Sequence, residues 1–141
     1  MIDFQSYDVP MPDLDYARIK RWIKQVAAGY GLRCGDINYI FCSDEHILAV
    51  NRQFLSHDYY TDVITFDYSL AQTIAGDIFI SVDTVRSNAE QVGVESAEEM
   101  LRIIIHGVLH LTGQADKTPE TRAIMTEKEE LALRKWREMS V

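Results

Sequence analysis

Between Tyr16 and Tyr30 the apolar residues Ile19, Trp22, Ile23 and Val26 recur at three- and four-residue steps. That spacing lines them along one side of a helix and leaves the other side polar. Asp13 or Asp15 is placed to cap its start, and Gly29, Gly31 and Gly35 punctuate its end. The pattern then changes to alternation. Asp36–Ser43 (DINYIFCS) is rich in β-formers and predicts a strand. Ser43 and Asp44 can cap a second helix, from Glu45 to about Phe54, with Ile47, Leu48 and Phe54 apolar. A polar loop, Leu55–Tyr60, leads to a strand at Thr61–Tyr68, and after a further loop Gly76–Ser81 reads as another. Pro10 and Pro12 mark the first dozen residues as an edge strand or arm followed by a turn.

The last third of the chain is helical in pattern. A short helix is expected over about Val82–Val92. Ser96-Ala97-Glu98-Glu99 has the form of a capping box, with Ser96 as N-cap and Glu99 at the third position. It opens a helix in which Met100, Leu101, Ile103, Ile104, Ile105, Val108, Leu109 and Leu111 are apolar nearly all round. Such a helix belongs at the centre of a domain. Gly113 stops it, and Thr118 with Pro119 opens a final helix to about Glu138, carrying Ile124, Met125, Leu131, Leu133 and Trp136. The expected fold is α/β in the α+β sense: a small mixed sheet of three or four strands with about five helices packed on it.

Composition narrows the class. The chain has 141 residues, enough for a single domain spanning 1–141, and 47% of them are apolar, too many for a disordered chain. No apolar run approaches the roughly 18–20 residues that cross a bilayer, and the N-terminus lacks a signal-like core. A cytoplasmic protein without a membrane partner is the expectation. Cys34 and Cys42, eight apart, match no redox or zinc spacing and read as free thiols. The net charge of −8 argues against a generally basic nucleic-acid surface. Any RNA contact must then rest on a local patch or on a bound cation.

Candidate chemistry sits on the apolar helix. His106 and His110 are four residues apart, one helical turn, on the same side. Two imidazoles so placed can share one metal ion. Gly113 turns the chain behind them, and Asp116 follows at a distance from which it can fold back. The pattern His-x3-His-x5-Asp supplies three ligands and leaves a tetrahedral ion one open position for water, as in catalytic rather than structural zinc. In His-Glu-x-x-His proteases the residue after the first histidine is the general base. Here it is Gly107, so a peptidase of that kind lacks its base. His46 and His57 read as surface residues outside the metal shell.

The run His106-Gly107-Val108-Leu109-His110-Leu111-Thr112-Gly113 resembles the signature of the bacterial YbeY family of rRNA maturation endoribonucleases. Val50-Asn51, Thr61-Asp62-Val63-Ile64-Thr65-Phe66, Gly76-Asp77-Ile78-Phe79-Ile80-Ser81, and Met125 with Glu129 extend the likeness over nearly the whole chain. The resemblance implies a single α/β domain holding one Zn2+ per chain through His106, His110 and residue 116. It implies a single-strand-specific endoribonuclease acting on rRNA precursor, in 3′-end maturation of the small-subunit RNA and ribosome quality control. RNA and the small ribosomal subunit are then the partners, with no DNA expected. This chain departs from the family at two positions. Asp116 stands where a histidine is usual, and aspartate also ligates zinc. Leu55 stands where many members have an arginine, and leucine cannot bind phosphate. Arg52, His57 and Arg86 are the nearby candidates for RNA contact, and Asp62 and Thr65 for lining the groove. Two alternatives remain: a non-catalytic ribosome-associated assembly factor with a structural zinc, and a metallohydrolase with another substrate.

Overall fold

The computed structural model describes residues 1–57 and 61–139. Its first half builds a sheet. β1 (Ile2–Ser6) leads through α1 (Tyr16–Gly29) to β2 (Arg33–Cys42), and α2 (Asp44–Leu55) leads to β3 (Val63–Asp67) and β4 (Thr73–Ser81). The strand order is β1-β2-β4-β3. β1, β2 and β4 run parallel, whereas β3 pairs antiparallel with β4 at the edge. The second half is helical: α3 (Val82–Val92), α4 (Ser96–Leu111) and α5 (Pro119–Glu138).

Four strands and five helices match the α+β expectation, and the helix boundaries fall within a residue or two of it. β2 and β4 each begin three residues earlier than alternation indicated, because neighbouring strands supply ladder partners as far back as the pair Arg33–Thr73. The expected strand over Thr61–Tyr68 is trimmed to Val63–Asp67, and of the expected loop, residues 58–60 lie outside those described. One cap differs in kind. Ser96 is already inside α4; the N-cap is Glu95, and no side chain bonds across the cap. The expected capping box is therefore not formed, since a serine with helical backbone geometry no longer stands ahead of the open N–H groups. The Thr118 cap forms as expected, with Thr121 returning the bond and Pro119 in the first turn.

α4 lies in the main core with α1, α5 and one face of the sheet, where Ile78, Ile80, Ile104, Ile105 and Val108 meet at 0% exposure. A smaller cluster of Cys42, Ile47, Val50 and Ile64 sits with Phe66 and Phe79 on the opposite face, beneath α2. Two buried polar groups tie the helices in place. The Tyr39 hydroxyl donates to the Ile104 carbonyl at 2.8 Å, and the Trp22 indole donates to the Ala132 carbonyl at 2.7 Å. Each would destabilise the core if left unbonded. Gly107 packs α4 tightly against Ile78 of β4. A Cβ there would stand 2.9 Å from Ile78 Cδ1, so the helix sits as near as a bare backbone allows. Both thiols are free, and burial together with nearby carboxylates pushes that of Cys42 up to about 12. No helix among the described residues is long and apolar enough to cross a membrane.

Candidate metal centre

α4 delivers two of the three donors by its own geometry. The His106 and His110 rings lie 4.5 Å apart, edge to face. The third comes from the turn that ends the helix. Thr112 closes α4, and Gly113 takes φ +100°, a left-handed conformation that glycine reaches without a Cβ clash. The Gln114 amide then bonds back to the Leu109 carbonyl at 3.1 Å. With α5 starting at Pro119, the short link between them turns Asp116 back over the histidines. Its Oδ2 lies 3.3 Å from His106 Nε2 and 3.3 Å from His110 Nε2.

The outer ring nitrogens are both committed. His110 Nδ1 lies 3.0 Å from the Gln114 carbonyl, which can only accept, so Nδ1 carries the proton. His106 Nδ1 lies 2.6 Å from Glu129 Oε2, and the other Glu129 oxygen takes a bond from Arg102 at 3.0 Å. A neutral ring protonated at Nδ1 presents a bare lone pair at Nε2. Two such lone pairs and a carboxylate oxygen converge on one small volume, and their mutual repulsion calls for a cation or a proton between them. Ligands about 2.0–2.1 Å from a tetrahedral ion lie about 3.3 Å from one another. The donor set fits a divalent cation, and all three donor atoms lie within 4.8 Å of each other.

Electrostatics separates the histidines. Burial opposes charge on His106, but Glu129 overrides it, and Asp116 and Asp62 add to it, so the ring's pKa stands above its ordinary value. Burial and the neighbouring His106 hold His110 below its ordinary value.

A groove of about 470 Å³ opens beside the donors, lined by His110, Asp116, Lys117, Asn51, Leu55, His57, Thr61, Val63 and Thr65 among others. β3 forms one wall. Of the residues proposed for RNA contact, His57 lines this groove; its amide bonds to the Asn51 carbonyl after Ser56 turns left-handed at the end of α2. Arg52 lies exposed in the last turn of α2, outside the lining. Arg86 lines a different cavity, under the arm Val9–Leu14, and does not share a wall with the donors. Leu55 sits in the groove wall at 40% exposure, and Thr65 joins it there. Two residues gain a role that sequence reading did not assign them. Glu129 and Arg102 buttress His106. The signal was present: Glu129 falls on the buried stripe of α5 with Met125, Ala132 and Leu133, where a carboxylate needs a partner.

A helix-borne histidine pair closed by a carboxylate, on an α+β domain, defines the class to which this protein compares. The sequence model of the family described as Endoribonuclease YbeY matches residues 2–137, and the chain belongs to that family. It is 56% identical to Endoribonuclease YbeY of Bacteroides thetaiotaomicron over 132 residues, covering 94% of this chain and 96% of the relative. The counterpart in Parabacteroides distasonis is 54% identical over 132 residues, with 94% and 93% covered. The solution structure of a Thermotoga maritima protein superposes with a TM-score of 0.66 at 25% identity, over 97% of this chain and 92% of that one.

Proposed function

We propose that this protein is a zinc-dependent endoribonuclease, holding one Zn2+ through His106 Nε2, His110 Nε2 and the Asp116 carboxylate. The observation that carries the reading is the convergence of two Nε2 lone pairs on one carboxylate oxygen, each 3.3 Å from it. When bound, such a cation polarises water and offsets charge on phosphoryl oxygens. The protein's own groups do the rest. Gln114 and Glu129 hold the imidazoles with Nε2 inward. The groove seats an extended strand between β3 and the end of α2, and Lys117 and His57 present the cationic or polar contacts beside the donors. Membership of an endoribonuclease family supports an RNA substrate; we propose ribosomal RNA precursor as that substrate, maturation of the small-subunit RNA and ribosome quality control as the setting, the small ribosomal subunit as partner and the cytoplasm as location.

Gly107 counts against a peptidase of the His-Glu-x-x-His kind. A glutamate side chain at that position has no room, because the first added carbon already meets Ile78.

The test is cleavage of a labelled single-stranded RNA by zinc-loaded and chelator-stripped protein, with His110→Ala alongside. The loaded wild type cleaves, and the variant loses both zinc and cleavage. Equal cleavage by stripped and loaded protein would overturn the metal's part in the reaction. Zinc binding without cleavage, combined with co-sedimentation on small subunits, would favour an assembly factor instead. Asp116→His tests the third ligand: zinc stays bound and the pH–activity profile moves to lower pH.

A further inference from the structure

We infer that Glu129 is a positioning residue of the metal centre, fixing His106 for coordination through a charged bond that His110 does not have. The inference rests on the metal-binding reading above. Both histidines turn Nε2 toward Asp116, yet they are held by different means. A backbone carbonyl, Gln114 O, takes the His110 Nδ1 proton at 3.0 Å. A carboxylate takes that of His106 at 2.6 Å, the shorter and stronger type of bond.

The carboxylate is built for this. Glu129 is 8% exposed and sits on α5, an element that contributes no donor of its own. Its two oxygens are divided: Oε2 faces His106, and Oε1 accepts from Arg102 Nη1 at 3.0 Å. Arg102 lies one turn before His106 on α4 and also pairs with Glu130. The arginine thus anchors the carboxylate from the same helix that carries the histidine. The chain Arg102–Glu129–His106 leaves the ring little freedom to flip, because a flip would break a buried charged bond. Outer partners of this kind orient a metal-ligating ring and raise its basicity, and their removal typically lowers affinity 10–100-fold. A Glu129 that served only to bridge α4 and α5 would affect folding and not the ring.

The experiment measures zinc affinity by competition with a chromophoric chelator, together with the His106 tautomer by long-range 1H–15N NMR of the metal-free protein. Variants are Glu129→Ala, Glu129→Gln, Arg102→Met and, as a control, His110→Ala. Recorded at a pH high enough for the ring to be neutral, wild type shows the Nδ1–H tautomer at His106. Glu129→Ala loses that single tautomer and binds zinc about 10–100-fold more weakly. Glu129→Gln, whose amide oxygen can still accept, keeps the tautomer and recovers part of the affinity. Arg102→Met weakens zinc less than Glu129→Ala does. If Glu129→Ala does not fold, Glu129→Gln carries the test, with about a tenfold loss expected. Zinc affinity within twofold of wild type in both Glu129 variants overturns the inference, even if their melting temperatures fall. If wild type binds zinc and His110→Ala does not, that failure is confined to Glu129. If wild type takes up no zinc, the metal reading fails and this inference with it.

Discussion

The groove above His110 and the cavity beneath the arm Val9–Leu14 each enclose about 470 Å³, yet the polar groups around them are arranged differently. The second is lined by the apolar Val9, Pro10, Met11, Leu14, Val82, Val85 and Met100 together with Asp13, Asp83, Arg86 and Ser96. The first sets the His110 imidazole and the Asp116 carboxylate beside Lys117, His57 and Asn51, in a lining that also holds Leu55, Val63 and Ile64. Volume alone does not mark a site. Convergence does: the groove lies beside the end of α4 and the turn after it, where His110 Nε2 and Asp116 Oδ2 stand 3.3 Å apart, with the edge strand β3 as a wall. The arm cavity lies between the start of α4 and α3, where nothing forces lone pairs toward a common point.

Substitutions on the two sides should behave differently. Asp116→Ala removes one of the three convergent donors, and zinc affinity in chelator competition is expected to fall more than about 100-fold, beyond the loss of an outer partner. A loss below tenfold would show that Asp116 is a bystander. Gly107→Ala comes next, because it pushes the donor helix off the sheet. Its Cβ meets Ile78 Cδ1 at 2.9 Å and Cγ2 at 3.1 Å. Overpacking of about 1–3 kcal/mol exceeds the roughly 1 kcal/mol gained in helix propensity. Calorimetry of the metal-free variant should show a melting temperature lower by about 2–4 °C. An unchanged or higher value would mean that Ile78 simply yields.

Glu99 gives a smaller, pH-dependent effect. Burial, with Asp62, Glu129 and Glu98, pushes its carboxyl above the ordinary carboxylate range against the pull of Arg102. A carboxyl raised in the fold favours its protonated form there. Its contribution to stability is full below the unfolded value and is lost as pH rises through the folded one. Glu99→Gln should therefore raise the melting temperature of metal-free protein at pH 8, and the gain should vanish near about pH 4. The same gain at both values would show that charge is not the cause. The smallest effect tests the arm cavity: Arg86→Ala should leave RNA cleavage within twofold of wild type. A tenfold loss would put RNA contact in that cavity and undo the contrast.

Sequence pattern located most of what these substitutions probe. The step pattern over Tyr16–Tyr30, the apolar run after Ser96 and the Thr118–Pro119 start each mark a helix, because local periodicity and caps are written in neighbouring residues. The histidine pair was legible for the same reason: four-residue spacing on a helix is a local rule. The pairing of Glu129 and Arg102 with His106, and the placing of Arg86, were not. His106 and Glu129 are 23 residues apart in sequence, and no rule of spacing joins them.

Sequence by itself determined the elements, the central helix and the two imidazoles on one of its sides, since all of these follow from backbone geometry over a few residues. Tertiary structure alone decided that Asp116 closes on both Nε2 atoms, that Glu129 stands behind His106, and that Gly107 is a contact surface rather than a missing base. Those outcomes depend on how α4 is pressed between the sheet and α5. That packing is settled by the whole core at once and is not encoded in any single stretch of chain.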